Sequence, residues 1–357
     1  MGFDDLARWD GEELVIRHDR TTDAWIYIAI HSTHRGPAVG GTRIRRYPDL
    51  DDAAQDALRL SSGMTAKNAL ADMPIGGAKA VLAVREIPGG PERTGLLTRY
   101  GSLVDSLDGQ FITGPDMGTT EDDMNVIGEV TDNVFCRSIG RGGAGTASPG
   151  TAAGMLHAIR ASLAHRFGSG DLRGRSILVQ GLGEVGGRLV ELLHDAGADL
   201  MVTDVDAARV ADVVRRHDDI RAVDSAHALE TACDLFSPCA IGSVLSKETI
   251  GRLRCQVVCG AANNQLAEPE DGERLRAADI LYAPDYAANA GGIIYGLGLE
   301  RFHWDADQVN ARLAGIADTL TRIFVEAERD GVATNLVADR MAAESLLRPS
   351  ELVLAAR

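Results

Sequence analysis

The chain has 357 residues, and because one hydrophobic core rarely grows past roughly 250–300 residues, this length favours two domains. Its formal net charge of −16 argues against nucleic acid or anionic membrane as a partner, since phosphate contacts need clustered Lys and Arg. No apolar run approaches the ~20 residues of a membrane span, and the acidic start lacks the pattern of a signal peptide, so a cytoplasmic protein is expected.

Cysteine usage agrees with a reducing compartment and gives no sign of a metal site. The five cysteines are an odd number, form no Cys-x-x-Cys pair, and in several cases lie in apolar, strand-like runs. We therefore expect buried free thiols rather than disulfides. The sequence contains no His/Cys cluster of the kind that holds a metal, and no metal is predicted. The cysteines are Cys136, Cys233, Cys239, Cys255 and Cys259.

The first part of the chain has the pattern of an α/β domain. Alternating apolar residues predict strands over 13–17 and 24–30, joined by a polar turn. A glycine-rich loop over 35–43 leads into another strand, and either serves a turn or lets a small ligand lie directly on the backbone. An apolar stripe predicts a helix over 50–64, and Thr120 is a predicted N-cap of a later helix.

Three charged residues of this part are candidates for chemistry. Lys67 and Lys79 lie in small-residue, glycine-bearing sequence, although most lysines are solvated surface residues. Lys79 directly follows a Gly-Gly-Ala run and opens an apolar strand, so partial burial would lower its pKa and make it usable as a base. Asp116 follows a strand over 111–113, where it is either an ordinary turn residue or a catalytic group at a strand's carboxyl end.

A glycine-rich stretch over 140–150 is the predicted hinge between two domains, and the strongest motif of the chain follows it. An apolar strand ends at a Gly-x-Gly-x-x-Gly pattern formed by Gly181, Gly183 and Gly186, and a helix comes next. The three glycines permit, in turn, a tight turn, close approach of the backbone to a pyrophosphate, and packing of helix on strand. The free N–H groups and positive dipole end of the helix then face the phosphates.

The second strand of this pattern, over 200–203, ends at Asp204. An acidic residue about 20 residues beyond the glycines bonds the adenosine ribose 2′-hydroxyl, and it would repel the extra phosphate of NADP. Asp204 therefore predicts NAD, with a surface aspartate that caps a strand as the plain alternative. Three further strand-and-loop units, over 235–240, 256–264 and 280–285, end in small residues, Pro or Asn and are predicted to line the nucleotide crevice.

Seven motifs occur in one order along the chain: GPAVGGTR (36–43), GMTAKN (63–68), GGAK (76–79), TGPDMGT (113–119), GLGEVG (181–186), AANNQL (261–266) and APDYAANAGG (283–292). Through them, and over nearly its whole length, the sequence resembles the glutamate/leucine/phenylalanine/valine dehydrogenase family, in particular the leucine, valine and phenylalanine enzymes. The resemblance implies an N-terminal α/β substrate and oligomerisation domain over 1–147 and a Rossmann-type, doubly wound NAD-binding domain over 148–325. It also implies a deep cleft between them and C-terminal helices, over 326–357, that return toward the first domain.

The resemblance also implies roles for individual residues. Lys67 would bind the substrate α-carboxylate, Lys79 would be the catalytic base, and Asp116 would assist proton transfer. Asn263 would bond either the substrate carboxylate or the nicotinamide ribose. The further substrate-binding candidates are Val39, Gly40, Gly41, Met64 and Gly296. The cofactor-binding candidates are Arg43, Ser148, Thr151, Gly181, Leu182, Gly183, Glu184, Val185, Gly186, Asp204, Val205, Cys239, Ala240, Ala261, Asn263 and Asn289.

The side-chain pocket is predicted to be apolar. The glutamate enzymes of the family carry a lysine where this sequence has Val39 and a serine where it has Gly296, and both hold the substrate's side-chain carboxylate. Without them a buried glutamate side chain would leave an unpaired charge at high cost. Gly296 also removes bulk where relatives often have valine or leucine, which favours leucine or phenylalanine as substrate. Because Gly298 lies in the same predicted helix, this wall is expected to be open to distortion.

The predicted function is NAD-dependent, reversible oxidative deamination of a branched-chain or aromatic L-amino acid, giving the 2-oxo acid, ammonium and NADH. A hydroxy-acid dehydrogenase would need a His base with a substrate-binding Arg, whereas His157, His165 and His194 lie in predicted helices. A non-catalytic NAD-binding regulator would have no need of the two lysines and Asp116. Relatives form dimer-based assemblies, so a homo-oligomer is expected, with the strands at 13–30 able to pair across subunits.

Overall fold

The computed structural model describes residues 2–240 and 242–347, which form two compact units. The first unit contains residues 2–146, 296–304 and 342–347, and the second contains the remaining described residues from 147 to 341. The division at 146/147 is one residue from the predicted boundary. Of the predicted third segment, 326–357, the residues as far as Met341 belong to the second unit and residues 342–347 belong to the first.

The first unit is built on a mixed five-stranded sheet. Its strands are β1 (Glu13–Asp19), β2 (Ala24–Ser32), β3 (Ala38–Arg46), β4 (Gly76–Val84) and β5 (Phe111–Pro115), in the order β1-β2-β4-β3-β5. The β1–β2 and β2–β4 pairs are antiparallel, whereas β4–β3 and β3–β5 are parallel. Every residue of the central strand β4 is buried, as expected for a strand that is covered on both faces.

Helices cover the two faces of this sheet. They are α1 (Phe3–Trp9), α2 (Leu50–Leu70), α3 (Gly90–Asp105) and α4 (Glu121–Ile127). The small residues Ala53, Ala54 and Ala57 of α2 pack on one face against Ala29 and Val81, while α3 and α4 close the other face. Helix α2 continues six residues past its predicted end at Met64, because its last turns are buried, and Thr120 caps α4 as predicted.

The second unit contains six parallel strands in the order β11-β10-β9-β6-β7-β8. The chain leaves β6 in one direction through β7 and β8, then returns to its other side for β9, β10 and β11, which is a doubly wound topology. The strands are β6 (Ser176–Gln180), β7 (Asp199–Thr203), β8 (Arg221–Ala222), β9 (Leu235–Pro238), β10 (Val257–Val258) and β11 (Leu281–Tyr282).

The helices that follow α4 begin with α5, whose first residues, from Ser148, lie within the stretch predicted as the hinge. They are α5 (Ser148–Phe167), α6 (Glu184–Asp195), α7 (Ala207–Arg216), α8 (Lys247–Ile250), α9 (Asp271–Ala277), α10 (Asp285–Ala288), α11 (Gly291–Glu300), α12 (Ala306–Asp330) and α13 (Thr334–Leu346). The long helix α12 packs on α5, where Gly154 leaves room for Ile316. This packing places α12 in the second unit.

The five cysteines all lie in the described part of the chain and are free thiols. Cys136, Cys255 and Cys259 are buried as expected, whereas Cys233 and Cys239 are partly exposed. Burial raises the pKa of Cys255 and Cys259 to about 12. Over residues 2–240 and 242–347, no helix is long and apolar enough to cross a membrane, and no group of three or more His, Cys, Asp or Glu could hold a metal ion.

Candidate active site

Lys79 lies in the middle strand of the first sheet and is only 4% exposed. It pairs with Ala29 on β2, and side chains alternate along a strand, so it shares a face with Val81, the face that α2 covers. An ammonium group in this position has lost most of its contact with water. Such burial is rare for lysine and calls for a specific partner.

The partner of Lys79 is Asp116, which follows β5. The Lys79 Nζ and Asp116 Oδ2 atoms are 3.0 Å apart, although β3 lies between their two strands. Gly41 on β3 makes this possible, since a Cβ atom at that position would lie 2.8 Å from the Asp116 Cβ. The two residues that the sequence nominated for proton transfer are therefore in direct contact within the first unit.

Arg43 contacts the same carboxylate oxygen of Asp116 as Lys79 does. Its Nε donates to Asp116 Oδ2 at 2.8 Å, and its Nη1 donates to Asp56 Oδ2 at 2.8 Å. Asp56, on α2, also accepts from the Tyr47 hydroxyl at 2.6 Å and from the Arg59 guanidinium at 2.8 Å. Asp56 is a carboxylate next to the apolar stripe of α2, and we did not predict its role or that of Tyr47. The cofactor contact predicted for Arg43 stays a prediction.

The surroundings of this cluster favour an ionised Asp116 and lower the pKa of Lys79. Burial lowers the pKa of Lys79 and the Arg43 cation lowers it further, while Asp116 acts in the opposite direction. Burial alone would raise the pKa of Asp116, but Lys79 and Arg43 hold it well below its usual range. Lys79 thus releases its proton more readily than a solvated lysine, which is what a general base requires.

The other predicted substrate residues of the first unit lie on elements next to Lys79. Lys67 and Met64 are half-buried in the last turns of α2. That end of the helix packs on β4, since a Cβ atom at Gly77 would lie 2.1 Å from the Thr65 backbone nitrogen. Val39, fully buried on β3, pairs with Gly77. At Gly40 a Cβ atom would overlap the Ala78 carbonyl oxygen of β4, at 1.7 Å.

Phe135 forms a wall of this region that the sequence did not reveal. Its backbone N–H donates to the Thr113 carbonyl at 2.9 Å, which places it beside β5. Its ring, 6% exposed, covers Gly114, where a Cβ atom would be 2.4 Å from the ring carbon Cζ. Gly114 pairs with Gly41, and opposite residues of parallel strands share a face. The ring therefore lies on the same face of the sheet as Lys79. Gly41 and Gly114 lie between them and have no side chains to cover the sheet.

Gly296 does not leave the empty space that we predicted from its missing side chain. A Cβ atom there would be 2.8 Å from Cys136 Sγ and 3.1 Å from the Phe135 ring, so these two side chains already fill the position. Nor is the helix broken, because α11 continues through Gly296 to Glu300. Glu300 in turn accepts hydrogen bonds at 2.7 Å from the Cys136 and Ala144 N–H groups and fixes this segment.

The glycine turn of the second unit has the form that its sequence predicts. Gly181 has φ of +99°, in the region that favours glycine, and its N–H donates to the Thr203 carbonyl at 2.8 Å. At Gly186 a Cβ atom would be 1.8 Å from the Gly181 carbonyl oxygen, so only glycine lets α6 pack this closely. Gly183 is the N-cap of α6 and supplies no side-chain cap, and a helix N-terminus of this form suits a phosphate.

Asp204 stands at the end of β7 beside this turn. Its carboxylate accepts from the Leu182 N–H at 2.6 Å and from the Asp206 N–H at 2.8 Å, and its side chain is 8% exposed. The aspartate therefore fixes the glycine turn as well as marking the predicted ribose position. The guanidinium of Arg209 lies 4.0 Å from Asp204, whereas the predicted neighbour Val205 is 95% exposed.

The remaining predicted cofactor residues of this unit lie in the first turns of α5 and α6 and in segments that follow strands. Ser148 donates to Glu184 at 2.8 Å, Val185 follows in the first turn of α6, and the Thr151 hydroxyl donates to the Ala147 carbonyl at 3.1 Å. Cys239 and Ala240 follow β9, with Ala240 against Gly181. Asn289 donates to Asn263 at 2.9 Å and to the Ala261 carbonyl at 3.1 Å, while its own buried Oδ1 has no hydrogen-bond partner.

Comparisons with known proteins agree with this geometry. Residues 16–133 match the family described as Glu/Leu/Phe/Val dehydrogenase, dimerisation domain, and residues 199–348 match Glutamate/Leucine/Phenylalanine/Valine dehydrogenase. The leucine dehydrogenase of Bacillus subtilis is 38% identical over 346 residues, covering 97% of this chain and 94% of that protein. The chain belongs to the glutamate/leucine/phenylalanine/valine dehydrogenase family.

Two further relatives of this amino-acid dehydrogenase family are similar over most of the chain. The valine dehydrogenase of Streptomyces virginiae is 41% identical over 340 residues, covering 94% of this chain and 93% of that protein. The crystal structure of L-tryptophan dehydrogenase from Nostoc punctiforme has a TM-score of 0.82 and 36% identity, covering 97% of this chain and 98% of that one. The predicted family, two-domain α/β fold and enzyme class, an oxidoreductase acting on amino acids, are thus confirmed.

Proposed function

We propose that the protein is an NAD-dependent L-amino-acid dehydrogenase that oxidises an apolar amino acid to the 2-oxo acid, ammonium and NADH, and that it also catalyses the reverse reaction. The observation that carries this proposal is the buried Lys79–Asp116 pair, at 3.0 Å, in a chain that also has a complete glycine turn. A protein that only senses NAD would have no use for a desolvated lysine. The histidines considered for hydroxy-acid chemistry, among them His157 and His165, lie along helix α5.

The substrate would be held by charge at one end and by apolar surface at the other. In this proposal Lys67, on the helix that packs on β4, neutralises the α-carboxylate and orients the Cα–H bond, which is catalysis by positioning. Val39 offers no charge for an acidic side chain, so a buried glutamate side chain would be unpaired. An apolar amino acid is the substrate class that this arrangement supports.

In the reaction, Asp116 holds the substrate ammonium group, which releases one proton to solvent before the hydride leaves Cα. A bound nicotinamide supplies the hydride acceptor for the Cα–H bond. Neutral Lys79 then takes a proton from the water that adds to the iminium carbon and returns it to the amine nitrogen. As the C–N bond breaks, the added hydroxyl loses its proton to solvent, the 2-oxo acid forms, and the departing ammonia takes up a proton to become ammonium. Desolvation and the nearby Arg43 cation, both of which lower the pKa of Lys79, prepare the lysine for this step.

The preferred substrate in our proposal is a branched-chain aliphatic amino acid. The Phe135 ring and Cys136 thiol fill the space beside Gly296. The proposed side-chain pocket is therefore shorter than the missing side chains of Gly114 and Gly296 alone would suggest. The leucine and valine dehydrogenases among the relatives fit this size. Phenylalanine and tryptophan would then be poorer substrates.

Replacing Phe135 by Val tests this wall. We expect the ratio of kcat/KM for phenylalanine to that for valine to rise by about 10- to 200-fold, the range that small volume changes in apolar pockets produce. The measurement is initial NADH formation with both substrates. Phe111→Val is the matched control, since Phe111 is an equally buried phenylalanine of β5 that packs in the core on the other face of the sheet. A similar change of the ratio in both variants would contradict the role of Phe135.

The cofactor in our proposal is NAD rather than NADP. The carboxylate of Asp204, next to the glycine turn, suits a ribose 2′-hydroxyl and would repel a 2′-phosphate. The uncapped first turn of α6 and the partnerless Asn289 Oδ1 support a dinucleotide at these strand ends. The family match over 16–133, described as a dimerisation domain, supports a homo-oligomer. The cytoplasmic location stays a prediction.

The decisive test is NADH formation at alkaline pH with NAD and each of valine, leucine, isoleucine, phenylalanine, tryptophan and glutamate, repeated with NADP. We expect the highest turnover with a branched-chain amino acid and NAD, and turnover with NADP lower by about 10-fold or more. Turnover with glutamate would contradict the apolar pocket. If the whole panel is inactive although NAD binds, the proposed function is wrong.

A further inference from the structure

Behind the Lys79–Asp116 pair, a line of buried polar contacts continues to the surface of the first unit. It passes from Asp116 to Arg43 at 2.8 Å, from Arg43 to Asp56 at 2.8 Å, and from Asp56 to the Tyr47 hydroxyl at 2.6 Å. The side chains of Arg43, Asp56 and Asp116 are only 9%, 12% and 16% exposed. Removing charged side chains from water costs free energy that their mutual attraction often does not recover. We therefore expect these three side chains to have a role other than stabilising the fold.

We propose that Arg43 and Asp56 are positioning residues for the catalytic pair: Asp56 fixes the Arg43 guanidinium, and Arg43 holds Asp116 on Lys79 and sets the charge that Lys79 experiences. This inference rests on the proposed function, because it assigns residues to the reaction at that site. Neither residue would touch the substrate, and each would act through Asp116.

The geometry of the guanidinium supports this role. Arg43 uses Nε for Asp116 and Nη1 for Asp56, and because the guanidinium is planar and rigid, two contacts from different nitrogens fix its orientation. Asp56 is itself held from two sides, by Tyr47 on one oxygen and by Arg59 on the other. It also lies on the long helix α2, which the sheet packs against, so the whole line has a rigid support.

Arg43 and Asp56 act on Lys79 in opposite directions. The Arg43 cation disfavours a second positive charge and lowers the pKa of Lys79, whereas the Asp56 anion raises it. Removing Arg43 should therefore make Lys79 harder to deprotonate, and removing Asp56 should make it easier. A residue that served only to stabilise the fold would reduce activity without this opposite pair of signs.

Several charged and titratable groups lie on the elements that surround Lys79, and each could affect its pKa. Strand β3 contributes Arg43, the segment after β5 contributes Asp116, and β2 places Ala29 opposite Lys79, with His31 two residues further on. Helix α2 contributes Asp56 and Lys67, and Tyr47 precedes it. Burial raises the pKa of Tyr47, so its hydroxyl deprotonates less readily than that of a solvated tyrosine.

The experiment is the pH dependence of kcat/KM for the best amino acid at saturating NAD, in full-length Arg43→Gln, Asp56→Asn and the double variant. Because the acidic limb reports the base of the free enzyme, we expect Arg43→Gln to move it to higher pH and Asp56→Asn to lower pH. The two limbs should lie about one pH unit or more apart, with the double variant between them. We expect kcat to fall by about 10- to 100-fold in each, since the pair is held less well.

Asp23→Asn is the control, because Asp23 pairs with Arg85 at 2.8 Å in the same unit but is largely exposed. We expect its pH profile and kcat to match those of the wild type. Thermal unfolding and NAD binding of every variant show whether it is folded, and Arg43→Lys, which keeps the charge, provides a second reading should Arg43→Gln unfold. Loss of activity with an unmoved limb, or limbs that move in the same direction, would overturn the inference. An inactive wild type would contradict the proposed function instead.

Discussion

Replacing Lys79 by Met is expected to lower kcat by about 10²- to 10⁴-fold, the range over which a positioned general base contributes, while NAD affinity stays unchanged. The substitution keeps a long, unbranched side chain in the buried position of β4 but removes the Lys79 Nζ atom, which is the proposed proton acceptor. Asp116 keeps its hydrogen bond from Arg43 at 2.8 Å, so the surrounding cluster stays paired. NADH formation measures the chemistry, and nucleotide titration measures binding.

A second variant, Lys79→Arg, separates charge from proton transfer. Arginine retains the positive charge beside Asp116 but cannot release its proton in the accessible pH range, so we expect it to be as inactive as Lys79→Met. Lys247→Met is the matched control, since Lys247 is an exposed lysine of α8 in the second unit. Turnover within about 10-fold of the wild type in either Lys79 variant would rule out Lys79 as the base.

The choice of lysine at this position has a physical reason that the whole sequence makes visible. Only three of the 36 basic residues are lysines, namely Lys67, Lys79 and Lys247, and the rest are arginines. Arginine suffices where a permanent charge is needed, as at Arg43. A base must lose its proton near working pH, and among long cationic side chains only lysine does so.

Local patterns in the sequence were enough to predict the nucleotide turn. One strand–helix–strand unit contains Gly181, Gly186 and Asp204 within 24 consecutive residues. The steric constraints that require glycine at this turn come from residues close in sequence, so the sequence alone reveals them. Lys79 and Asp116 could be predicted as candidates for a similar reason, because Lys79 directly precedes an apolar run and Asp116 follows an apolar strand. Their 3.0 Å contact could not, since it depends on the order of β4, β3 and β5 in the sheet.

The residues that the sequence did not reveal are those whose role comes from tertiary packing. Asp56 is paired with Arg43 because α2 crosses the sheet at that level, which a helical pattern does not specify. The position of Gly296 was misjudged for the same reason. A glycine in a sequence shows that its own side chain is missing, but only the fold shows that Phe135 and Cys136 occupy the space.

Replacing Gly186 by Ala is expected to abolish NAD binding at concentrations that saturate the wild type, and with it turnover. The new Cβ atom would lie 1.8 Å from the Gly181 carbonyl oxygen, which is backbone and cannot rotate away. Helix α6 must therefore move off β6, and its first-turn N–H groups leave the phosphate position. Overpacking of this kind costs about 1–3 kcal/mol, so we also expect a lower midpoint of thermal unfolding. Nucleotide titration and thermal unfolding measure the two effects.

Gly187→Ala provides the control for the same helix. A Cβ atom at Gly187 would meet only the Leu182 carbonyl oxygen, at 3.7 Å, which is an ordinary contact. Because alanine favours a helix interior over glycine by about 0.5–1 kcal/mol, we expect this neighbour to bind NAD normally and to unfold at an equal or higher temperature. Two adjacent glycine-to-alanine changes would then differ in nearly every readout, for the sole reason that one Cβ atom points at the turn. Normal NAD binding in Gly186→Ala would mean that the close packing of α6 on the turn is not what builds the phosphate site.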